Sequence, residues 1–150
     1  MRRVVLAVVT LGYLAFIGWV TLRAEPYDDT FDSWIDLVIA AFSEDQRTAW
    51  ITFGMVEFTA NIFMFVPVGV LLTLLLGRKW WWVAALGGFA LSLAIELVQL
   101  GIPSRVSDPR DVLSNGLGTT VGAIACFVVW GLATRGRPTV VGREERASAR

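Results

Sequence analysis

The chain contains no histidine and a single cysteine, Cys126. Without histidine the usual neutral-pH proton shuttle and the commonest metal ligand are absent, and one cysteine cannot close an intrachain disulfide. Zinc chemistry and histidine-based triads are excluded with them. Charge is scarce as well: 17% of the 150 residues are charged, where a soluble domain carries about a quarter. The formal net charge is zero, so no overall basic field invites nucleic acid. Apolar residues fill the place of the missing charge, at 55% of the chain with a mean hydropathy of +0.62. The composition points to lipid.

Four apolar runs, at about 4–22, 51–76, 80–100 and 112–134, are each near the ~20 residues that cross a bilayer. The first follows Met1-Arg2-Arg3. A cleaved signal peptide is the alternative for such a start, but its apolar core would be roughly 7 to 15 residues and would end in an A-x-A-like site. Here the run meets Thr21-Leu22-Arg23-Ala24-Glu25, so it is expected to stay as a span. The fold expected is all-α: an integral membrane bundle of four transmembrane helices over 1–134, followed by a basic tail over 135–150.

Between the first two spans the chain turns acidic and aromatic. Phe31, Trp34, Leu37, Val38, Ala41 and Phe42 follow helical spacing, with Asp32 and Asp36 off that stripe, which fits a short amphipathic helix at the membrane surface. It could equally pack over the ends of the spans or cover a ligand. Ser43 with Gln46 resembles a capping box, from which the second helix would start. Pro67 and Gly69 within the second span predict a kink, and Gly77-Arg78-Lys79 a tight turn. Asp108 is a credible N-cap for the fourth span, with Pro109 at its first position. Gly118 and Gly122 form a G-x-x-x-G surface, read as a helix contact that could also pair two copies of the chain.

With four spans, Arg2, Arg3, Arg78, Lys79, Arg135, Arg137, Arg143, Arg146 and Arg150 share one side, and only Arg23, Arg47, Arg105 and Arg110 the other. The positive-inside rule then makes both termini cytoplasmic. Glu57 and Asn61 enter the second span from the outer side, Glu96 and Gln99 leave the third towards it, and Asp108, Asp111 and Asn115 open the fourth from it. At ~1.5 Å per residue, Glu96 is about 6 Å below the end of its helix. These residues therefore reach one level, with Arg105 above them.

An ionisable group in a span costs ~2.5 to 3.5 kcal/mol on insertion scales, so Glu57 and Glu96 are expected to share an interior site. A closed hydrogen-bonded network that only sets helix register is the competing account. Four acids, Glu57, Glu96, Asp108 and Asp111, outnumber the nearby arginines, however, and a purely structural network should cancel its charge. Protonation, a cation or a ligand's positive group would relieve the surplus.

The segment Asn61-Ile62-Phe63-Met64-Phe65-Val66-Pro67-Val68-Gly69, then Glu96-Leu97-Val98-Gln99, then Arg105, Asp108, Asp111, Asn115, Gly118 and Gly122, resembles the pattern of VanZ-like membrane proteins over about Ala49 to Val129. Glu57 has no counterpart in that pattern. The resemblance implies a multi-pass protein of a bacterial cytoplasmic membrane. It also implies a link to resistance against teicoplanin, a lipid-tailed glycopeptide that binds cell-wall precursors outside the membrane.

Three functions compete on these residues. A non-catalytic protein would use Glu57, Asn61, Glu96, Gln99, Arg105, Asp108, Asp111 and Asn115 to bind membrane lipid, a lipid-linked wall precursor or a lipoglycopeptide, with no cofactor. An intramembrane hydrolase or transferase would use Glu57 and Glu96 as an acid and base, yet no activated serine or cysteine, metal-ligand set or second catalytic partner is legible. Cys126 lies in an apolar run and reads as a packing residue. A proton-coupled or ion-coupled transporter or flippase would use the same acids and the Pro67 kink, with a second copy of the chain supplying the missing half.

Overall fold

The computed structural model describes residues 1–22, 37, 40, 47–48, 50–102 and 108–135. Four helices cover them: α1 (Arg2–Leu22), α2 (Phe53–Leu76), α3 (Trp81–Gln99) and α4 (Pro109–Arg135), with a single 3₁₀ turn at Arg78–Trp80 between α2 and α3. All four are long and apolar enough to cross a membrane. No strand occurs among the described residues. The segment expected to lie on the membrane surface falls outside the description except for Leu37 and Ala40, both helical; so do Arg105 and the tail beyond Arg135.

The distribution of polarity is that of a protein solvated by lipid. Val5, Leu11, Leu86, Leu97, Val129 and Leu132 are exposed, while Thr73, Ser92, Glu96, Gln99, Ser114, Asn115 and Thr119 are buried. In lipid there is no hydrophobic gain in hiding leucine from its surroundings, whereas a polar group does better facing another helix. Small side chains and hydrogen bonds therefore make the interior.

α4 is the central helix, packed chiefly on α2 and then on α3, while α1 leans against α2 and, more lightly, α3. The α2–α4 contact is backbone on backbone. A Cβ on Gly118 or Gly122 would run into the carbonyls of Ile62 or Val66, and one on Gly69 into the carbonyl of Thr119. Gly69 thus serves close approach as well as standing near the turn that Pro67 disturbs. The glycine face of α4 is covered by α2 of the same chain, so Gly118 and Gly122 present no open surface there to a second copy.

α2 continues helically through Pro67. The proline leaves the Phe63 carbonyl without its backbone donor, and the Tyr13 hydroxyl of α1 donates to the next carbonyl, that of Met64, at 2.7 Å. Below this bond Ile17, Phe65, Val68 and Ile95 close an apolar cluster between α1, α2 and α3.

The start of α2 corrects the expectation of a helix running in from Ser43. The Ile51 amide donates to the Thr48 carbonyl at 2.8 Å in a turn, and Thr52 is extended (φ −102°, ψ 159°) before the helix begins at Phe53. At the other end of α2, Gly77 takes φ +96°, a region open to glycine at little cost. The chain can therefore reverse into α3 directly.

Arg78 ties that end together. Its Nε donates to the Phe127 carbonyl of α4 at 3.2 Å, its guanidinium carbon stands 4.3 Å from the centre of the Phe127 ring, and the absence of a side chain at Gly131 makes room for it. Trp81 turns inward onto Phe127, with ring centres 5.8 Å apart. Trp80 and Trp82 remain exposed, where indoles suit a membrane interface.

Candidate functional site

The far end of the bundle, where α2 and α4 begin and α3 ends, carries every described carboxylate: Glu57, Glu96, Asp108 and Asp111. Asp108 performs the capping its position predicts, its Oδ1 accepting the Arg110 amide at 2.8 Å. Pro109 follows as the first helical residue, where its missing N–H costs nothing. One turn on, Asp111 reaches across to α2, and its Oδ1 accepts a hydrogen bond from Asn61 Nδ2 at 3.0 Å. Residues fifty positions apart are thus joined at one level.

The Asp111 carboxylate feels the negative charges of Glu57, Glu96 and Asp108 together, with Asn61 the neutral donor that offsets them. Glu96 is 5% exposed, inside the bundle as its spacing implied. Glu57 departs from the shared interior site expected for it, since it is exposed at the bundle's edge. It lies in the second turn of α2, near the helix end, and its charge still acts on Asp111. Among the described residues these acids do not converge into a set of three or more that could hold a metal ion.

Beneath Asp111 a polar column continues into the bundle. The Asp111 carbonyl accepts from Ser92 Oγ at 3.3 Å and from Ser114 Oγ at 3.1 Å. Asn115 Nδ2 donates to Ser92 Oγ at 2.9 Å, and the Asn115 carbonyl accepts from Thr119 Oγ1 at 3.0 Å. Asn115 therefore lies one layer below the carboxylates rather than among them. Gln99 turns away, its Nε2 donating to the Thr21 carbonyl of α1 at 2.8 Å. The remaining amide oxygens, Gln99 Oε1 and Asn115 Oδ1, are buried with no hydrogen-bond partner among the described residues.

Asn61, Glu96, Asp108, Asp111 and Glu57 are thus brought together, Asn115 supports them from below, Gln99 braces α1, and Arg105 lies outside the described residues. Gly69, Gly118 and Gly122 act on the packing of α2 with α4, and Pro67 stands in α2 near the Met64 carbonyl that Tyr13 of α1 binds. Two residues join that sequence reasoning passed over. Ser92 links α3 to α4, and its signal was present: Ser92, Glu96 and Gln99 fall at i, i+4 and i+7 on one helix face. Arg110 brings its guanidinium beside Gly54 in the first turn of α2, a cation at the acidic end.

The family profile described as VanZ/LLP1 matches residues 5–130, across all four helices. The chain belongs to the VanZ/LLP1 family. Comparison with curated proteins and with solved structures finds no match for it. This VanZ/LLP1 protein is a helical bundle with four candidate membrane spans, and Asn61, Gly69, Asp111, Gly118 and Gly122, among the residues that carried the VanZ-like resemblance, line the α2–α4 contact and its acidic end.

Proposed function

We propose that this VanZ/LLP1 protein lies in a bacterial cytoplasmic membrane with both termini inside. Its acidic end then meets the outer leaflet, where it binds an amphiphile, a lipid-linked wall precursor or a lipoglycopeptide, and so contributes to glycopeptide resistance or envelope homeostasis. The single observation that supports this most is the gathering of Glu57, Glu96 and Asp108 at the end of the bundle where their charges act on Asp111, itself held by Asn61. Carboxylates and amide oxygens accept hydrogen bonds from sugar hydroxyls, peptide N–H groups and ammonium groups, and Arg110 can pair with a phosphate or carboxylate.

The test is protection of a teicoplanin-sensitive host. Asp111→Asn and Glu96→Gln are expected to abolish protection at unchanged membrane abundance, and purified protein should lose binding of the lipoglycopeptide or precursor in step. Full protection by both variants overturns the reading.

Coupled transport is the second reading, favoured by the polar column that runs from Asp111 through Ser92 and Asn115 to Thr119. It requires ligand uptake into proteoliposomes that responds to a pH gradient. Uptake indifferent to the gradient removes it.

A further inference from the structure

The end of the bundle opposite the carboxylates has its own ligand chemistry. α1 is anchored from Thr10 onward, where Thr10 and Ile17 are its buried residues. Its first turns stand away from α2 and α4. Two adjoining grooves result, of about 460 Å³ and 440 Å³, sharing Arg2, Leu74 and Trp130 in their walls. The first is floored by Val70 with Ala125 and Ala133, whose small side chains leave the space open. The second runs along Val5 and Val9 with Arg3 at its rim.

We propose that these grooves hold an anionic phospholipid, with an acyl chain between α1 and the α2–α4 pair and the phosphate against Arg2 and Arg3. Both grooves lie between spanning helices, so hydrocarbon is what their apolar walls meet. Charge selects the headgroup. Arg2 and Arg3 occupy the first turn of α1, where the helix dipole already places positive charge and the turn itself holds no acidic residue. The carboxylates of the described residues, Glu57, Glu96, Asp108 and Asp111, all lie at the other end. Arg78, another guanidinium at this end, is committed to the Phe127 carbonyl and ring. A phosphate supplies the missing anion at the depth where a lipid carries one. The site is separate from the acidic end, and neither proposal depends on the other.

The test is retention of lipid by full-length protein taken from nanodiscs containing equal phosphatidylglycerol and phosphatidylcholine, read by native mass spectrometry. The wild type is expected to keep phosphatidylglycerol in preference to phosphatidylcholine. Replacing both arginines, Arg2→Gln with Arg3→Gln, should lower phosphatidylglycerol retention about tenfold and leave phosphatidylcholine unchanged, given the attraction of each basic residue to an anionic leaflet. Ala133→Trp, on an exposed position of α4, should fill the groove and reduce retention of both lipids without altering the melting temperature. Equal retention of the two lipids by wild type overturns the proposal, as does a double variant that keeps its phosphatidylglycerol. Unchanged retention in Ala133→Trp removes the acyl chain from the groove and overturns it equally.

Discussion

At the Pro109 end, side chains from α2, α3 and α4 hold one another through Asn61, Asp111, Ser92 and Asn115, and negative charge collects on the result. At the Arg78 end the same helices meet through one guanidinium laid on an aromatic ring, with apolar grooves beside it. The first arrangement keeps like charges together at a cost in repulsion, which a purely structural contact would avoid. The second cancels no charge that it does not need to, because Arg78 bonds to a carbonyl and a π face rather than to an acid. Both ends hold the helices together, but only the acidic end does so while gathering charge of one sign.

The largest effect should come from the middle, which serves both ends. Gly122→Leu would drive a side chain into the Val66 carbonyl and push α4 off α2, costing about 3 kcal/mol or more. Loss of the cooperative thermal transition in detergent would show it. Gly12→Leu, on a face of α1 with open space, should shift the transition by less than about 0.5 kcal/mol and acts as the control. Equal tolerance at the two positions would break the claim that the α2–α4 contact carries the fold.

Ser92→Ala comes next. It leaves Asn115 Nδ2 buried without its acceptor, for about 1–3 kcal/mol of destabilisation by the same melting measurement. Arg78→Ala removes a hydrogen bond and a cation–π contact at the other end, for about 1–2 kcal/mol. Teicoplanin protection should follow its residual abundance and nothing more, because Arg78 is remote from the acids. The smallest stability effect has the opposite sign. Asp111→Asn keeps an oxygen for Asn61 and removes a charge opposed by three others, so it should raise stability by up to ~1 kcal/mol while protection is lost. A variant both less stable and fully protective would place Asp111 among the structural residues and erase the contrast between the ends.

Much of this arrangement was legible because bilayer thickness imposes a length on each span, and hydropathy records it. The four apolar runs match the helices to within a few residues, and Asp108-Pro109 marks the start of α4 because capping depends on local geometry alone. Height along the bundle was legible in part by the same logic: rise per residue brings Asn61 level with Asp111, while Asn115 lies a layer below. Contact with a neighbour was harder. Glu57 and Asn61 are four apart and share a face, yet one is exposed and the other bonded to Asp111, because spacing gives the face but not how far along it a neighbouring helix reaches. The glycines of α4 announced a close contact without naming the partner, which only the packing of α2 supplies. Ser92 was legible only through its spacing to Glu96 and Gln99, since one hydroxyl barely alters the hydropathy of the run around it.

The modest grip on α1 carries a consequence for assembly. Among the described residues its ties to the rest include the Tyr13 and Gln99 bonds and an apolar seam, whereas α2, α3 and α4 pack more extensively on one another. α1 therefore takes its place against a flank that α2 and α3 make together. Its hydroxyl then clips onto a carbonyl beside the one that Pro67 leaves without a backbone donor, so an imperfection in one helix becomes the latch for another.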